Sequence, residues 1–268
     1  MDYKVLVLDI DGTLTNSKKE ITSKTKKALR KAYEKGVKVV LASGRPTPGI
    51  LPIAEEIGFD EFGGYILSFN GGKIIDYKSK EVIFQKILPD EEIPSLYNSA
   101  KKNGVTIVSY DDTSIITENT DDQYVEIEAR INKMPVKEVD SFTDAINFSV
   151  PKCLMVGNGD HLANVEKNIK ADYGDRLNVY RSEPFFLEIM PQNIDKAFSL
   201  GKLLKHIGCT EKEMIACGDG FNDISMIKYA GLGVAMQNAQ PQVKESADFI
   251  TLSNDDDGVA HVIEKYII

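Results

Sequence analysis

Val5-Leu6-Val7-Leu8-Asp9-Ile10-Asp11-Gly12-Thr13 is the stretch that decides the fold. Its four leading apolar residues run without polar alternation, the mark of a strand covered on both faces. The polar, glycine-containing half that follows reads as a loop. Downstream, Thr22 or Ser23 can cap a helix running to Lys35. In that helix Ala28/Ala32 and Leu29/Tyr33 lie four apart on one face, and Gly36 supplies the stop. Residues 37–41 form a second buried strand ending at Ala42-Ser43-Gly44-Arg45. A further helix begins near 46–48, where proline is tolerated in a first turn. Residues 65–69 read as a third strand, and Asn70-Gly71-Gly72 is a hairpin signal.

The middle of the chain, 84–190, changes character. Short strands near 105–110, 114–117, 152–156 and 177–181 mix with helical stretches near 91–103, 121–132 and 160–173. This is α+β rather than alternating β-α, and reads as an inserted domain. Alternation then resumes with a helix at 196–206, a strand at 214–217, and Gly218-Asp219-Gly220-Phe221-Asn222-Asp223 as a loop opening a helix. Strands at 232–235 and 249–251 and a helix at 258–266 complete it. The fold class is therefore α/β, a doubly wound, mostly parallel sheet. Its two parts, 1–83 and 191–268, are separated by the insertion 84–190. Such sheets bind ligands at the carboxyl ends of their strands, so the loops at positions 9, 43 and 219 should converge at one edge.

The composition bounds the chemistry. With 268 residues and 42% hydrophobic content the chain can bury a real core, which excludes disorder and fibrous structure. A net charge of −9 argues against nucleic acid or an anionic membrane as main partners. Three scattered cysteines make neither a disulfide framework nor a CxxC metal site. No signal-peptide pattern opens the sequence and no run approaches a membrane-spanning length of about 20 apolar residues. A cytoplasmic location is the expectation, and the oligomeric state is not readable.

Asp9 and Asp11 alone could be a turn or half a calcium loop. The calcium-loop reading fails, because a buried strand rather than a helix precedes them and Thr13-Leu14 departs from the pattern. Asp219 and Asp223 add a second acidic pair after another strand. Two unit charges 4 Å apart repel by about 4 kcal/mol at an effective dielectric of 20. Four carboxylates at one edge therefore make sense around a cation, and an all-oxygen site favours a hard one such as Mg²⁺. Ser43 and Gly44 offer a hydroxyl and an open amide that suit a phosphoryl oxygen. Taken singly that pair is an ordinary turn, and Lys196 alone would be a solvated surface charge.

Together these residues resemble the haloacid-dehalogenase-like phosphohydrolases. Asp9-Ile10-Asp11-Gly12-Thr13 is similar to the first motif, DxDGT; Ser43 matches the second, Lys196 the third, and the 218–223 loop the fourth, GDxxND. The insertion between the second and third motifs resembles the Cof-type subgroup with its α+β cap. Phe186-Leu187-Glu188-Ile189-Met190, Gly231-Leu232-Gly233-Val234-Ala235-Met236 and the length are similar to YidA-like sugar phosphatases. Asp195-Lys196-Ala197 departs locally from the Lys-Gly of many relatives but keeps the lysine.

The resemblance implies a Rossmann-like core with a specificity cap, and Mg²⁺-dependent hydrolysis of small phosphorylated metabolites, sugar phosphates foremost. It implies Asp9 as nucleophile, giving an aspartyl-phosphate, and Asp11 as general acid and then base. Mg²⁺ would be held by Asp9, the Asp11 carbonyl and Asp219, with Asp223 orienting a metal-bound water. Ser43, Gly44, Asn222, Lys196 and the loop amides near Ile10 and Gly12 would hold the phosphoryl group. Arg45, Asn70, Arg181 and Glu188 are the candidate polar groups for the leaving alcohol, and no catalytic histidine is expected. A phosphotransferase or mutase of the same fold is an alternative. A receiver-like phosphoacceptor is another, disfavoured because Asp11 two residues after Asp9 suits hydrolysis. Nucleotide-binding glycine motifs are absent: Gly72-Lys73 and Gly201-Lys202 lack the following Ser or Thr.

Overall fold

The computed structural model describes residues 3–268. In chain order the first strands are β1 (Val5–Leu8), β2 (Lys38–Ala42), β3 (Tyr65–Ser68), β4 (Lys73–Asp76) and β5 (Val82–Gln85). Next come β6 (Thr106–Tyr110), β7 (Ile115–Thr117), β8 (Val136–Glu138), β9 (Cys153–Val156), β10 (Leu177–Glu183) and β11 (Phe186–Pro191). The last are β12 (Met214–Gly218), β13 (Leu232–Ala235) and β14 (Phe249–Ile250). Contacts divide the chain into two compact units. One comprises Met1–Arg45, Ile50–Phe84 and Asp195–Ile268, the other Pro46–Gly49 and Gln85–Ile194.

The first unit holds an eight-stranded sheet in the order β14-β13-β12-β1-β2-β3-β4-β5. From β14 to β3 all pairings are parallel, and β4 returns antiparallel to β3. The apolar run of β1 has a direct structural reading, since successive side chains point to opposite faces. Leu6 and Leu8 pack with Ala28, Leu29 and Ala32 of helix Ser23–Glu34 and with Val259, Ala260 and Ile263 of helix Gly258–Tyr266. Val5 and Val7 face the other way, onto Leu200, Leu203 and Leu204 of helix Lys196–Ile207. Each such side chain, fully removed from water, stabilises the fold by about 1.5–3 kcal/mol. The helix after β1 starts where the sequence places it: Thr22 caps it by accepting from the Thr25 amide at 3.1 Å.

The hairpin at Asn70-Gly71-Gly72 forms as expected, but with unusual backbone. Phe69 and Asn70 both adopt the left-handed region, at φ 52° and 51°. This is rare for a bulky residue and persists where surrounding structure imposes it. The imposing contacts are the Phe69 amide on the Arg45 carbonyl and the Asn70 amide on the Ser43 carbonyl, each at 3.0 Å.

The second unit carries a six-stranded sheet in the order β10-β11-β9-β6-β7-β8, antiparallel except for β7–β8. Ile107, Met155, Val179, Leu187 and Ile189 pack from this sheet against Leu96 of helix Glu92–Asn103 and Leu162, Val165 and Ile169 of helix Gly159–Tyr173. β8 and β11 are not among the strands expected from sequence. β8 is only three residues long, and β11 is buried throughout, so its residues show no period-two alternation. No helix among the described residues is long and apolar enough to cross a membrane.

Candidate active site

β1, β2 and β12 are neighbours in the parallel part of the sheet, so the residues after their carboxyl ends meet. Asp9 follows β1 and is tied to β12 through its amide on the Cys217 carbonyl, 3.0 Å. Lys196 opens its helix, a position where a cation opposes the helix dipole. It is held there by acceptors. Its ammonium is fully buried and donates to Asp9 Oδ1 at 2.7 Å, to the Ala42 carbonyl at 2.7 Å and to Asp223 Oδ1 at 2.6 Å. All three of its N–H bonds are thereby used within the protein. Burial alone would lower the lysine's pKa; the charges of Asp223 and Asp9 outweigh it and raise the value.

Asp223 is equally engaged. Its Oδ2 accepts from the backbone amides of Asp219 at 3.0 Å and Gly220 at 2.9 Å, which folds the 218–223 loop around the carboxylate. Asp219 accepts from Thr13 Oγ1 at 2.8 Å. Gly12 makes that approach possible: its φ is 85°, and a Cβ there would come within 2.8 Å of the Asp219 carboxyl carbon.

One ligand atom each from Asp9, Asp219 and Asp223 lies within 4.8 Å of the others. Burial and then the Asp223 charge push the Asp9 carboxyl well above its usual range, against the pull of Lys196. Burial likewise raises Asp219 to about 6, with Thr13 opposing and Asp223 adding to the rise. Three carboxylates facing one ammonium leave a net negative, desolvated cluster of hard oxygen donors. That chemistry fits a hard divalent cation.

Asp11 points elsewhere. Its carboxylate lies outside the acidic cluster and accepts from Arg45 Nε at 2.8 Å, Arg45 Nη2 at 2.8 Å and Lys19 Nζ at 2.8 Å. Burial would raise its pKa, but these cations overcome that and hold the carboxyl below the usual range. Ile10 is buried, and its carbonyl accepts from the Thr15 amide and hydroxyl, each at 3.0 Å. The Gly12 carbonyl accepts from Asn238 Nδ2 at 2.8 Å.

Ser43 is buried at the end of β2, with its Oγ accepting from the Arg45 amide at 3.2 Å. Asn222 is exposed and donates to Asn70 Oδ1 at 3.0 Å. A Cβ on Gly44 would lie 3.1 Å from Asn70 Nδ2, so Gly44, Asn70 and Asn222 form one polar rim. Thr13 and Asn238 join the site without having been singled out as members of it, and Asn70, a candidate for the leaving alcohol, stands at the rim beside Asn222. Thr13 was visible inside the first motif. The placement of Asn70 depends on a left-handed backbone that sequence does not announce.

The other sequence candidates are engaged inside the second unit. Arg181 pairs with Glu166 at 2.9 Å, and Glu188 pairs with Lys152 at 2.8 Å and accepts from Ser182 at 2.9 Å. Asp122 caps a helix, as a solvated acid at a helix start would. No histidine joins the acidic cluster: His161 bonds the Asn103 carbonyl, His261 stacks near Phe249, and His206 lies in the last turn of its helix.

The sequence profile of the haloacid dehalogenase-like hydrolases matches residues 6–263. A haloacid dehalogenase-like hydrolase from Bacteroides thetaiotaomicron is 53% identical, superposes with a TM-score of 0.95, and is matched over 98% of this chain and 99% of its own. The 5-amino-6-(5-phospho-D-ribitylamino)uracil phosphatase YcsE of Bacillus subtilis is 31% identical over 273 residues, 100% of this chain and 97% of YcsE. The subclass IIB sugar phosphatase BT4131 is 28% identical with a TM-score of 0.83, over 98% of each chain. The resemblance carried by the four motifs thus holds across the sequence and the fold. The chain belongs to the haloacid dehalogenase-like hydrolase family, in its Cof-type branch, and is an enzyme of the phosphatase class.

Proposed function

We propose that the protein hydrolyses small phosphate monoesters carried on polyhydroxylated carbon chains, sugar phosphates foremost, by way of a phosphorylated Asp9 and with Mg²⁺ as its resident ion. The observation that carries this reading is the buried Lys196 ammonium. It fixes Asp9 Oδ1 at 2.7 Å beside two further carboxylates at the carboxyl edge of a parallel sheet. BT4131 is a sugar phosphatase and the YcsE substrate carries its phosphate on a ribityl chain, so both point to polyol-type leaving groups.

Asp9 attacks phosphorus while the ester P–O bond breaks, and Asp11 delivers a proton to the departing alcohol oxygen. Water then attacks the same phosphorus, gives its proton to Asp11, and returns Asp9 free with release of inorganic phosphate. Proton transfer of this kind contributes roughly 10²–10⁴-fold. Lys196 holds the nucleophile still and offsets part of the negative charge of the cluster. Ser43, the Gly44 amide, the loop amides near Ile10 and Gly12, and Asn222 hold phosphoryl oxygens, because this chemistry is chiefly positioning and electrostatics. Asp9, Asp219 and the Asp11 carbonyl hold the ion, and Asp223 orders the loop that carries Asp219. When bound, Mg²⁺ supplies neutralisation of the phosphoryl charge. The inserted segment 84–190 is assigned the choice of leaving group.

The test is phosphate release from a panel of sugar phosphates, polyol phosphates, nucleotides and phosphorylated cofactors, in Mg²⁺ and in EDTA. Repeated release in Mg²⁺, abolished by EDTA and by Asp9→Asn, is expected. No release from any ester in Mg²⁺, or undiminished release by Asp9→Asn, would end the reading.

A further inference from the structure

We infer that Arg45 is a positioning residue that aims Asp11 and selects its Oδ2 as the oxygen that carries the proton; this rests on the reading of Asp11 as general acid and base. A carboxylate offers about four acceptor positions. Three of those on Asp11 are occupied: Oδ1 accepts from Arg45 Nη2 and from Lys19 Nζ, and Oδ2 accepts from Arg45 Nε. The remaining position is on Oδ2.

The two occupants are not equivalent. Arg45 grips with a planar fork through both oxygens, which fixes the plane of the carboxylate as a single ammonium cannot. Its side chain is only 13% exposed, whereas that of Lys19 is 64% exposed. An exposed flexible lysine orders its partner weakly. Arg45 is also anchored through its backbone, its amide on Ser43 Oγ at 3.2 Å and its carbonyl accepting from Phe69 at 3.0 Å. It therefore ties the orientation of Asp11, after β1, to the loop after β2 that holds Ser43 and Gly44. The fork and the serine loop are one rigid part, so the proton donor is set relative to the oxygens that grip phosphate.

Without the fork the carboxylate regains rotation about its side-chain bonds. Misplacement of about 1 Å can lower a rate on the order of 10²-fold. In the step that forms phospho-Asp9 the loss falls only on esters whose leaving group needs a proton; the later attack of water, where Asp11 takes a proton, is common to both esters and does not enter kcat/KM. p-Nitrophenolate departs without one, while phenolate depends on it, and the two esters present the same phosphate and a similar ring.

The experiment measures kcat and KM for p-nitrophenyl phosphate and phenyl phosphate with the wild type, Arg45→Ala, Arg45→Lys, Asp11→Asn and the Arg45→Ala/Asp11→Asn double variant, in Mg²⁺. Expected is a fall in kcat/KM for phenyl phosphate at least about ten-fold greater than for p-nitrophenyl phosphate in Arg45→Ala. Arg45→Lys, which keeps the charge but not the fork, shifts the ratio the same way. Arg45→Ala changes the ratio by less than about two-fold once Asp11 is already Asn, because the two act as a unit. An unmoved ratio with KM raised equally for both esters would make Arg45 a phosphate contact and overturn the inference. So would full restoration of the ratio by lysine, or independent effects in the double variant. If the wild type releases phosphate from neither ester nor from the wider panel, the phosphatase reading itself falls and takes this one with it.

Discussion

Lys196→Met replaces the buried ammonium with an apolar chain of similar length. In the wild type that ammonium donates at 2.6–2.7 Å to Asp223, Asp9 and the Ala42 carbonyl. The variant leaves two buried carboxylates facing one another and one carbonyl without its donor. Removing one partner of a buried ion pair costs about 3–5 kcal/mol. For a unit of this size each kcal/mol moves the midpoint by roughly 2–4 °C, so the expected loss is on the order of 10 °C. The pH dependence follows from the direction of the carboxyl shifts. Asp9 already lies well above its ordinary value with Lys196 present, and losing that charge raises it further. A carboxyl whose folded pKa exceeds its unfolded value destabilises the fold as pH rises through the folded value, and not below the unfolded value near 3.9. The variant's deficit is therefore largest near pH 8 and shrinks toward pH 5, where a proton substitutes for the lost ammonium. Calorimetric or urea melts in EDTA at both pH values measure it. A deficit below about 1 kcal/mol at pH 8, or one that grows in acid, would refute the electrostatic account of this triad.

Three other outcomes follow from the same geometry. In EDTA the wild type should lose thermal stability between pH 5 and pH 7, because Asp219, raised to about 6, is forced to ionise in that window; Asp219→Asn should show a smaller loss. Millimolar Mg²⁺ should raise the wild-type midpoint at pH 7, since a ligand bound only by the folded state stabilises it by mass action, and should not raise that of Asp219→Asn. Gly12→Ala places a Cβ against the Asp219 carboxyl at a φ of 85°; a loss of roughly 1–2 kcal/mol from left-handed backbone alone, together with loss of the Mg²⁺-induced shift, is expected in the same melts.

Val5-Leu6-Val7-Leu8 was readable because a strand buried on both faces leaves an unbroken apolar run, and every one of those residues is indeed fully buried. The convergence of positions 9, 43 and 219 followed from strand-end loops in a parallel sheet. β11 was not readable as a strand, since Phe186–Pro191 is buried throughout and has neither alternation nor a flanking hairpin dipeptide. The Arg45–Asp11 fork was hidden for a different reason. It joins residues 34 apart through a side chain whose direction depends on the loop between β2 and the next helix. The strained Phe69-Asn70 backbone was hidden too, because an Asn-Gly pair announces a turn without saying that the residue before it also turns left-handed.

The cations at this edge are each paired with carboxylates of the chain itself. The family resemblance implies Lys196 as a cation that offsets charge on both the nucleophile and the phosphoryl group. The geometry commits all three of its N–H bonds to Asp9, Asp223 and Ala42. Arg45 and Lys19 are in turn committed to Asp11. A phosphate ester reaching this edge therefore meets cations whose charge is already answered by carboxylates, on a chain of net charge −9. The local attraction must come from an added charge. Chelation should accordingly abolish turnover rather than weaken it, and raising the ester concentration in EDTA should not restore it. Measurable turnover at saturating ester in EDTA would mean that one of these paired cations releases its carboxylate to bind phosphate, with Arg45 the first to examine because its fork is the more exposed of the two anchored cations.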